Sequence, residues 1–326
     1  MADYKVAISD YIFPDLDIEQ EMLPAAGAEL IIGQCRTATE LIELAHDADG
    51  MLNTYFEPVD STIFSACSKL KVVVRYGVGV NTIDIPDATR HGVMVANVPD
   101  YCMDEVSDHA LGLWLNLGRK ITSADRQVRR GDWTIKPLEP VANLRAQTVA
   151  IIGLGRLGRM AARKLAVFGV ELIFYDPHLP EDLDLDGVLC RKVGLEELCR
   201  TADAIFIHAP ATRETHHLLN AERFGQMDRQ PLIINTARAP LIDTTALVKA
   251  LERGQVRGAG LDLVEGEQLP ADHPLLRFDN VVITPHVAWY SEEAKVNLRR
   301  MAVREVIRVL HGGRPHSLLN PEVGID

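Results

Sequence analysis

The chain has 326 residues, about twice an ordinary domain, so two domains are expected. Hydrophobic residues make up 47% and charged residues 25%, ordinary globular proportions with apolar side chains enough for two cores. A formal net charge of −12 without any basic run argues against nucleic acid and anionic membrane surfaces as partners, since phosphate binding needs clustered Lys and Arg.

In chain order, short β runs at residues 5–9, 29–32, 50–53 and 71–75 alternate with helical stretches at 16–26, 38–48 and 60–69. This pattern predicts a small βα domain with a parallel sheet. Its fourth strand ends in Tyr76-Gly77-Val78-Gly79, glycine-rich backbone at a strand's carboxyl edge, where open α/β sheets bind ligands. One long helical stretch, residues 103–130, leads into a loop at 131–141 containing Trp and Pro. A second βα series follows, with strands predicted at 149–152, 172–175, 204–208, 232–235, 258–262 and 281–284. A last amphipathic helix at 292–310 is expected to return the chain to the first domain.

The most specific local pattern opens the second series. Val149 to Ile152 reads as a buried strand running into Gly153-x-Gly155-x-x-Gly158, with helical periodicity behind it. That strand–turn–helix context is what a dinucleotide fingerprint requires. Gly153 allows the tight turn, Gly155 the close approach of a pyrophosphate, and Gly158 the packing of helix on strand. The N-terminal N–H groups of the helix, with Arg156 and Leu157 in its first turn, would hold the phosphates. The next strand ends in Asp176, placed to accept hydrogen bonds from a ribose diol. Pro177 and His178 follow, with no Arg or Lys for a 2′-phosphate, so NAD (NADH) is expected over NADP.

Three segments at consecutive strand ends carry the chemistry: Asn235-Thr-Ala-Arg238, Asp262-Leu-Val-Glu-Gly-Glu267 and Thr284-Pro-His286. In an open α/β sheet these ends converge on the cofactor crevice, bringing a cation, a carboxylate and an imidazole to the nicotinamide. His286 is the natural proton donor and acceptor. Arg238 suits forked binding of a carboxylate or carbonyl oxygen. Glu267 would favour the imidazolium, although Glu265 competes for that role on sequence alone. His216 and His217 lack metal-ligand spacing and read as helix or loop surface, and no metal is expected.

Five cysteines, none in a C-x-x-C pair, argue against a disulfide framework or a zinc site. The N-terminus lacks the apolar core of a signal peptide and no apolar stretch is long enough to span a bilayer, so a cytoplasmic location is expected.

Taken with Arg75-Tyr-Gly-Val-Gly-Val-Asn-Thr-Ile-Asp84, Gly260-Leu-Asp262 and Thr284-Pro-His-Val-Ala-Trp-Tyr-Ser-Glu292, these motifs resemble the D-isomer-specific 2-hydroxyacid dehydrogenase family over essentially the whole chain. Trp289 and Tyr290 after the histidine are most similar to its C-terminal-binding-protein branch, which holds both dehydrogenases and corepressors. The resemblance implies an α/β protein of two Rossmann-like or flavodoxin-like domains with parallel sheets. An NAD-binding domain (103–291) would be inserted in a discontinuous substrate domain (1–102 and 292–326). It implies NAD-dependent interconversion of a 2-oxo acid and a (D)-2-hydroxy acid. Arg238, Glu267 and His286 would be the catalytic set, Glu267 being preferred over Glu265 by its spacing from Asp262. Asp262 would meet the nicotinamide carboxamide. Val78, Val106, Ala209, Pro210, Thr215, Thr236 and Ala237 would complete the cofactor pocket. Arg75, Tyr76, Gly77, Gly79 and Trp289 would face the substrate.

Departures are few. Ala239 replaces the glycine that usually follows the arginine, Val106 stands where many relatives carry a small hydroxyl residue, and Gln268 replaces a proline. Formate is disfavoured as a substrate because Glu267 stands where formate enzymes of the family carry glutamine. A homodimer formed through residues 103–130 is implied. The rival reading is an NAD(H)-sensing, corepressor-like scaffold, against which the intact catalytic motifs weigh.

Overall fold

The structure is a computed structural model that describes residues 2–266 and 268–324, so Glu267 lies outside the described residues. The chain divides into two compact units, one running through Cys102 and resuming at Tyr290, the other spanning Met103–Trp289. Tyr290 and Ser291, read from sequence as the end of the second domain, fall with the first for a local reason. The Ser291 hydroxyl caps the last helix by accepting the Ala294 N–H at 2.8 Å, and the Tyr290 hydroxyl donates to Glu292.

The first unit alternates strand and helix: β1 (Tyr4–Ile8), α1 (Asp17–Ala25), β2 (Ala28–Ile32), α2 (Ala38–Ala45), β3 (Gly50–Asn53), α3 (Ser61–Ala66), β4 (Val72–Arg75), α4 (Ile85–Arg90) and β5 (Met94–Ala96). All strands are parallel, in the order β2-β1-β3-β4-β5. The three-residue β5 is too short to show a strand period and was not foreseen. The second unit opens with α5 (Met103–Arg119) and α6 (Ile121–Arg129). It continues with β6 (Thr148–Ile152), α7 (Arg156–Ala166), β7 (Glu171–Tyr175), β8 (Leu183–Asp184), β9 (Leu189–Lys192), α8 (Leu195–Thr201), β10 (Ala204–Ile207) and α9 (Ala221–Gly225). It ends with β11 (Leu232–Asn235), α10 (Thr244–Glu252), β12 (Gly258–Leu261) and β13 (Val281–Ile283), before α11 (Glu292–Leu310) returns to the first unit.

Helix α11 buries Leu298, Ala302, Val303, Val306 and Val309, an apolar stripe at helical spacing. It packs closely on β3, where a Cβ at Gly50 would stand 2.9 Å from the Val306 side chain. In the second unit Leu113, Trp114 and Leu117 of α5 cover one face of the sheet, with Trp114 edge-on to Phe168 at 5.3 Å. The opposite face is closed by Leu198, Phe224, Leu247 and Leu251.

The single helix expected over 103–130 is two helices. Lys120 between them is left-handed (φ 54°), and the Asn116 side chain accepts both the Thr122 N–H (2.8 Å) and its hydroxyl (2.9 Å), which stabilises the break. Strands β8 and β9 were also unforeseen. They form an antiparallel edge on an otherwise parallel sheet of order β13-β12-β11-β10-β6-β7-β9-β8.

Candidate active site

In the second sheet the strand order reverses between β6 and β10, which are adjacent in the sheet, and the carboxyl edge at such a point is where open α/β sheets form a ligand crevice. Gly153 leaves β6 with φ 86°, and a Cβ on it would lie 2.7 Å from the Ala209 main-chain nitrogen. A Cβ on Gly158 would meet the Gly153 carbonyl oxygen at 2.2 Å. Gly155 is different: a Cβ there would meet nothing within 4 Å. Gly155 is also the N-cap of α7, and as a glycine it brings no capping side chain of its own. The first turn of α7, which begins at Arg156 and Leu157, follows a glycine whose missing side chain leaves open space, the setting in which a helix N-terminus takes an anion. These features fit the pyrophosphate of a dinucleotide.

Asp176 follows β7 and touches the glycine loop directly: Oδ2 accepts the Leu154 N–H at 3.0 Å and Oδ1 the His178 N–H at 3.0 Å. Each oxygen keeps a lone pair for a ribose hydroxyl. Across the crevice Ala209 is buried and Pro210 exposed, and Thr215 donates its hydroxyl to the Pro210 carbonyl at 2.7 Å. Beyond β11 the buried Thr236 hydroxyl finds no partner among the described residues, an orphan that a bound cofactor would satisfy. Val106, in the first turn of α5, is buried and offers no hydrogen bond.

Arg238 is held by its own strand end. The buried Asn235 side chain accepts the Ala237 N–H and donates to the Arg238 carbonyl, both at 3.0 Å. The Arg238 Nη1 donates to the Ala237 carbonyl at 2.6 Å.

His286 is exposed and left-handed, with φ 54°. A non-glycine residue holds that conformation only where its surroundings over-determine it. The turn is anchored by Asp262, 1% exposed, whose carboxylate accepts the Thr284 hydroxyl (2.6 Å), the Val287 N–H (3.0 Å) and the Ala288 N–H (2.9 Å). The Asp262 carbonyl accepts the His286 N–H at 2.8 Å. Asp262 thus sits beneath the histidine as the anchor of its turn, a role the sequence did not reveal. The Trp289 indole donates to the His286 carbonyl at 3.0 Å and closes the turn from the other side. His109 of α5, absent from the sequence-derived site, reaches Thr284 with Nε2 at 2.9 Å. Nothing in the sequence sets it apart from Asp104, Glu105, Ser107 and Asp108, the other polar residues at the start of this helix.

The competition between Glu265 and Glu267 is informed by the partners of Glu265. Its Oε1 pairs with His217 Nε2 at 2.8 Å, and its Oε2 accepts the Thr244 N–H at the start of α10 at 3.0 Å. Partial burial would raise its pKa, but the bonds from Thr244 and His217 outweigh that and hold the carboxyl below its ordinary value. Both oxygens of Glu265 are engaged by neighbouring loops. His217, read as surface, is half-buried in this pair and stacks on His216 with ring centroids 4.0 Å apart.

In the first unit Arg75 ends β4 and folds back over Gly77. A Cβ at Gly77 (φ 137°) would collide with the guanidinium, whose Nη1 donates to the Tyr76 carbonyl at 2.6 Å. The Val78 carbonyl accepts from Asn97 Nδ2 at 2.6 Å. The Tyr76 phenol is turned into the core and donates to Glu19 at 3.0 Å. Burial first, and then the Glu19 carboxylate, push its pKa well up. What Tyr76 offers the carboxyl edge is main chain.

Residues 111–288 match the family described as D-isomer specific 2-hydroxyacid dehydrogenase, NAD binding domain. The chain is 39% identical over 288 residues to a glyoxylate reductase of Thermofilum pendens, covering 87% of this chain and 85% of that protein. The structure of a D-2-hydroxyisocaproate dehydrogenase is similar with a TM-score of 0.86 and 26% identity, covering 97% of this chain and 99% of that one. The NAD-complexed form of a D-isomer specific 2-hydroxyacid dehydrogenase from Lactobacillus delbrueckii ssp. bulgaricus is similar at 0.84 and 26%, covering 97% and 100%.

Proposed function

The chain belongs to the D-isomer specific 2-hydroxyacid dehydrogenase family, and on that premise we propose that His286 and Arg238 are its catalytic residues, with Glu267 as the acid beside His286. It is an NAD-dependent oxidoreductase of 2-oxo and (D)-2-hydroxy acids. These matches do not specify the C-terminal-binding-protein branch, and they give the corepressor-like reading no support. The observation carrying the proposal is that the open Gly155 cradle, the pinned Arg238 and the strained His286 turn all follow carboxyl ends of strands in one sheet.

Bound NADH supplies the hydride. His286 protonates the developing alkoxide in reduction and accepts the hydroxyl proton in oxidation. Arg238 holds the substrate oxygens. Gly153, Gly155 and the start of α7 take the pyrophosphate, Asp176 the ribose diol, and Thr236, Ala237, Ala209, Pro210 and Thr215 the flanks. Asp262 is assigned to positioning first, with its carboxamide contact resting on the resemblance. For the substrate carboxylate the resemblance also supports Arg75 and the main chain of Gly77 and Gly79. Glyoxylate leads the substrates proposed, because the reductase of Thermofilum pendens is named for it.

A homodimer is proposed through residues 103–130, whose second helix is α6. This helix buries none of its residues, and Ile121, Val128, Trp133 and Ile135 beside one another in sequence are all exposed. A mass that stays monomeric at micromolar concentration in sedimentation removes this proposal. A reducing, cytoplasmic setting fits five free, buried cysteines, and among the described residues no helix is long and apolar enough to cross a membrane.

The test follows NADH consumption with glyoxylate, pyruvate, hydroxypyruvate and phenylpyruvate. His286→Ala is expected to lower kcat by about 10²–10⁴-fold, with NADH affinity preserved. Strong residual turnover in that variant excludes His286 as the proton donor.

A further inference from the structure

Resting on the catalytic assignment of His286, we propose that His109 is a positioning residue for the reaction, acting on the catalytic turn through Thr284 and Asp262. The chain of contacts is continuous and lies wholly within the second unit. His109 Nε2 meets the Thr284 hydroxyl at 2.9 Å, and that hydroxyl meets Asp262 Oδ1 at 2.6 Å. Asp262 in turn holds the N–H groups of Val287 and Ala288, and its carbonyl holds the N–H of His286.

Proton counting fixes the direction of each bond. Thr284 has one proton and gives it to the carboxylate, so its oxygen must accept, and His109 must present Nε2–H. His109 Nε2 also lies 3.6 Å from Oδ1 of Asp262, whose carboxylate is almost fully buried. His286 sits in left-handed backbone, a strained conformation that relaxes unless the turn is held at several points. The carboxylate supplies two of those points directly, and His109 fixes the orientation of the carboxylate. A helix residue at position 109 thereby sets the height and direction of an imidazole at position 286.

The measurement uses the whole chain in five forms: wild type, His109→Leu, His109→Gln, Thr284→Val and the His109→Leu/Thr284→Val double variant. Kinetics with NADH and glyoxylate are combined with NADH binding by fluorescence and amide hydrogen exchange of the peptide spanning 284–290. His109→Leu and Thr284→Val are each expected to lower kcat by roughly tenfold to a hundredfold, as small displacements of a catalytic group do, with NADH affinity nearly unchanged. The double variant should be no slower than the slower single one, because both cut the same chain of contacts. His109→Gln, whose amide can donate from a similar place, should recover most of the rate. Exchange at 284–290 should quicken in His109→Leu and be restored in His109→Gln.

Wild-type kcat and exchange in a folded His109→Leu, or losses that multiply in the double variant, overturn the inference. If the wild type reduces no 2-oxo acid, the catalytic reading fails separately. The exchange result then decides on its own whether His109 holds the turn.

Discussion

Each unit contains a parallel sheet with a point where strand order reverses, and the two points are furnished in opposite ways. In the first sheet the reversal lies between β1 and β3. Asp10 follows β1 and fills the gap with its own carboxylate, which accepts the Thr54 hydroxyl and the N–H groups of Thr54 (3.1 Å), Tyr55 (3.2 Å) and Phe56 (3.4 Å). In the second sheet the residue after β6 is Gly153, and Gly155, the N-cap of α7, brings no capping side chain of its own. One edge holds an internal anion against its donors, whereas the other has a glycine where that anion's side chain would stand. Topology alone therefore does not make a nucleotide site, and the side chain after the first strand decides it.

The largest test of that contrast is to give the second unit what the first already has. Gly155 has extended backbone and open space around its missing Cβ, so Gly155→Asp should fold without strain. A carboxylate there opposes the pyrophosphate by about 3 kcal/mol, weakening NADH at least roughly a hundredfold. As a better N-cap than glycine, it should also raise stability by a few tenths of a kcal/mol. Binding titration and thermal unfolding read both signs; intact NADH affinity would refute the cradle.

A second test concerns the strand across each gap. Asn53 ends β3 with both amide atoms buried and unpartnered among the described residues, and His208 follows β10 with both ring nitrogens in the same condition. Only His208 titrates. Burial lowers its pKa from 6.5 to about 4. Below pH 6.5 the unfolded chain takes up a proton that the fold excludes, so stability declines from pH 6.5 down to about pH 4 and this contribution then levels off. The full loss is on the order of 3 kcal/mol. Unfolding measured across that range should show a shallower acid decline in His208→Asn; parallel curves would discard this account.

The smallest expected effect returns to the first unit. Asp10→Asn removes the internal charge and should cost about 2 kcal/mol of stability, while NADH affinity stays at the wild-type value. Loss of NADH binding there would break the proposed separation of roles.

Much of the candidate site was legible in the sequence because its parts are local. The strand–glycine–helix run, Asp176 at a strand end, the apolar stripe of α11 and the three strand-end segments each lie within a few residues. Their backbone requirements show directly as glycine spacing or hydrophobic period. What stayed hidden depends on partners far apart in the chain. His109 and Thr284 are separated by 175 positions, His217 and Glu265 by 48, and Thr54 and Asp10 by 44. No local period encodes such meetings.

Sequence by itself determined where the glycine turn falls, which strand ends carry an arginine, a histidine and an acid, and which helix face is apolar. Tertiary structure alone decided the break at Lys120, the occupation of Glu265 by His217, the seat of Asp262 under the turn at 284–288 and the left-handed backbone of His286. The division has one physical cause. Backbone conformation and amphipathic period are set by neighbouring residues, whereas a buried polar group finds its partner only when distant strands have already been brought into register.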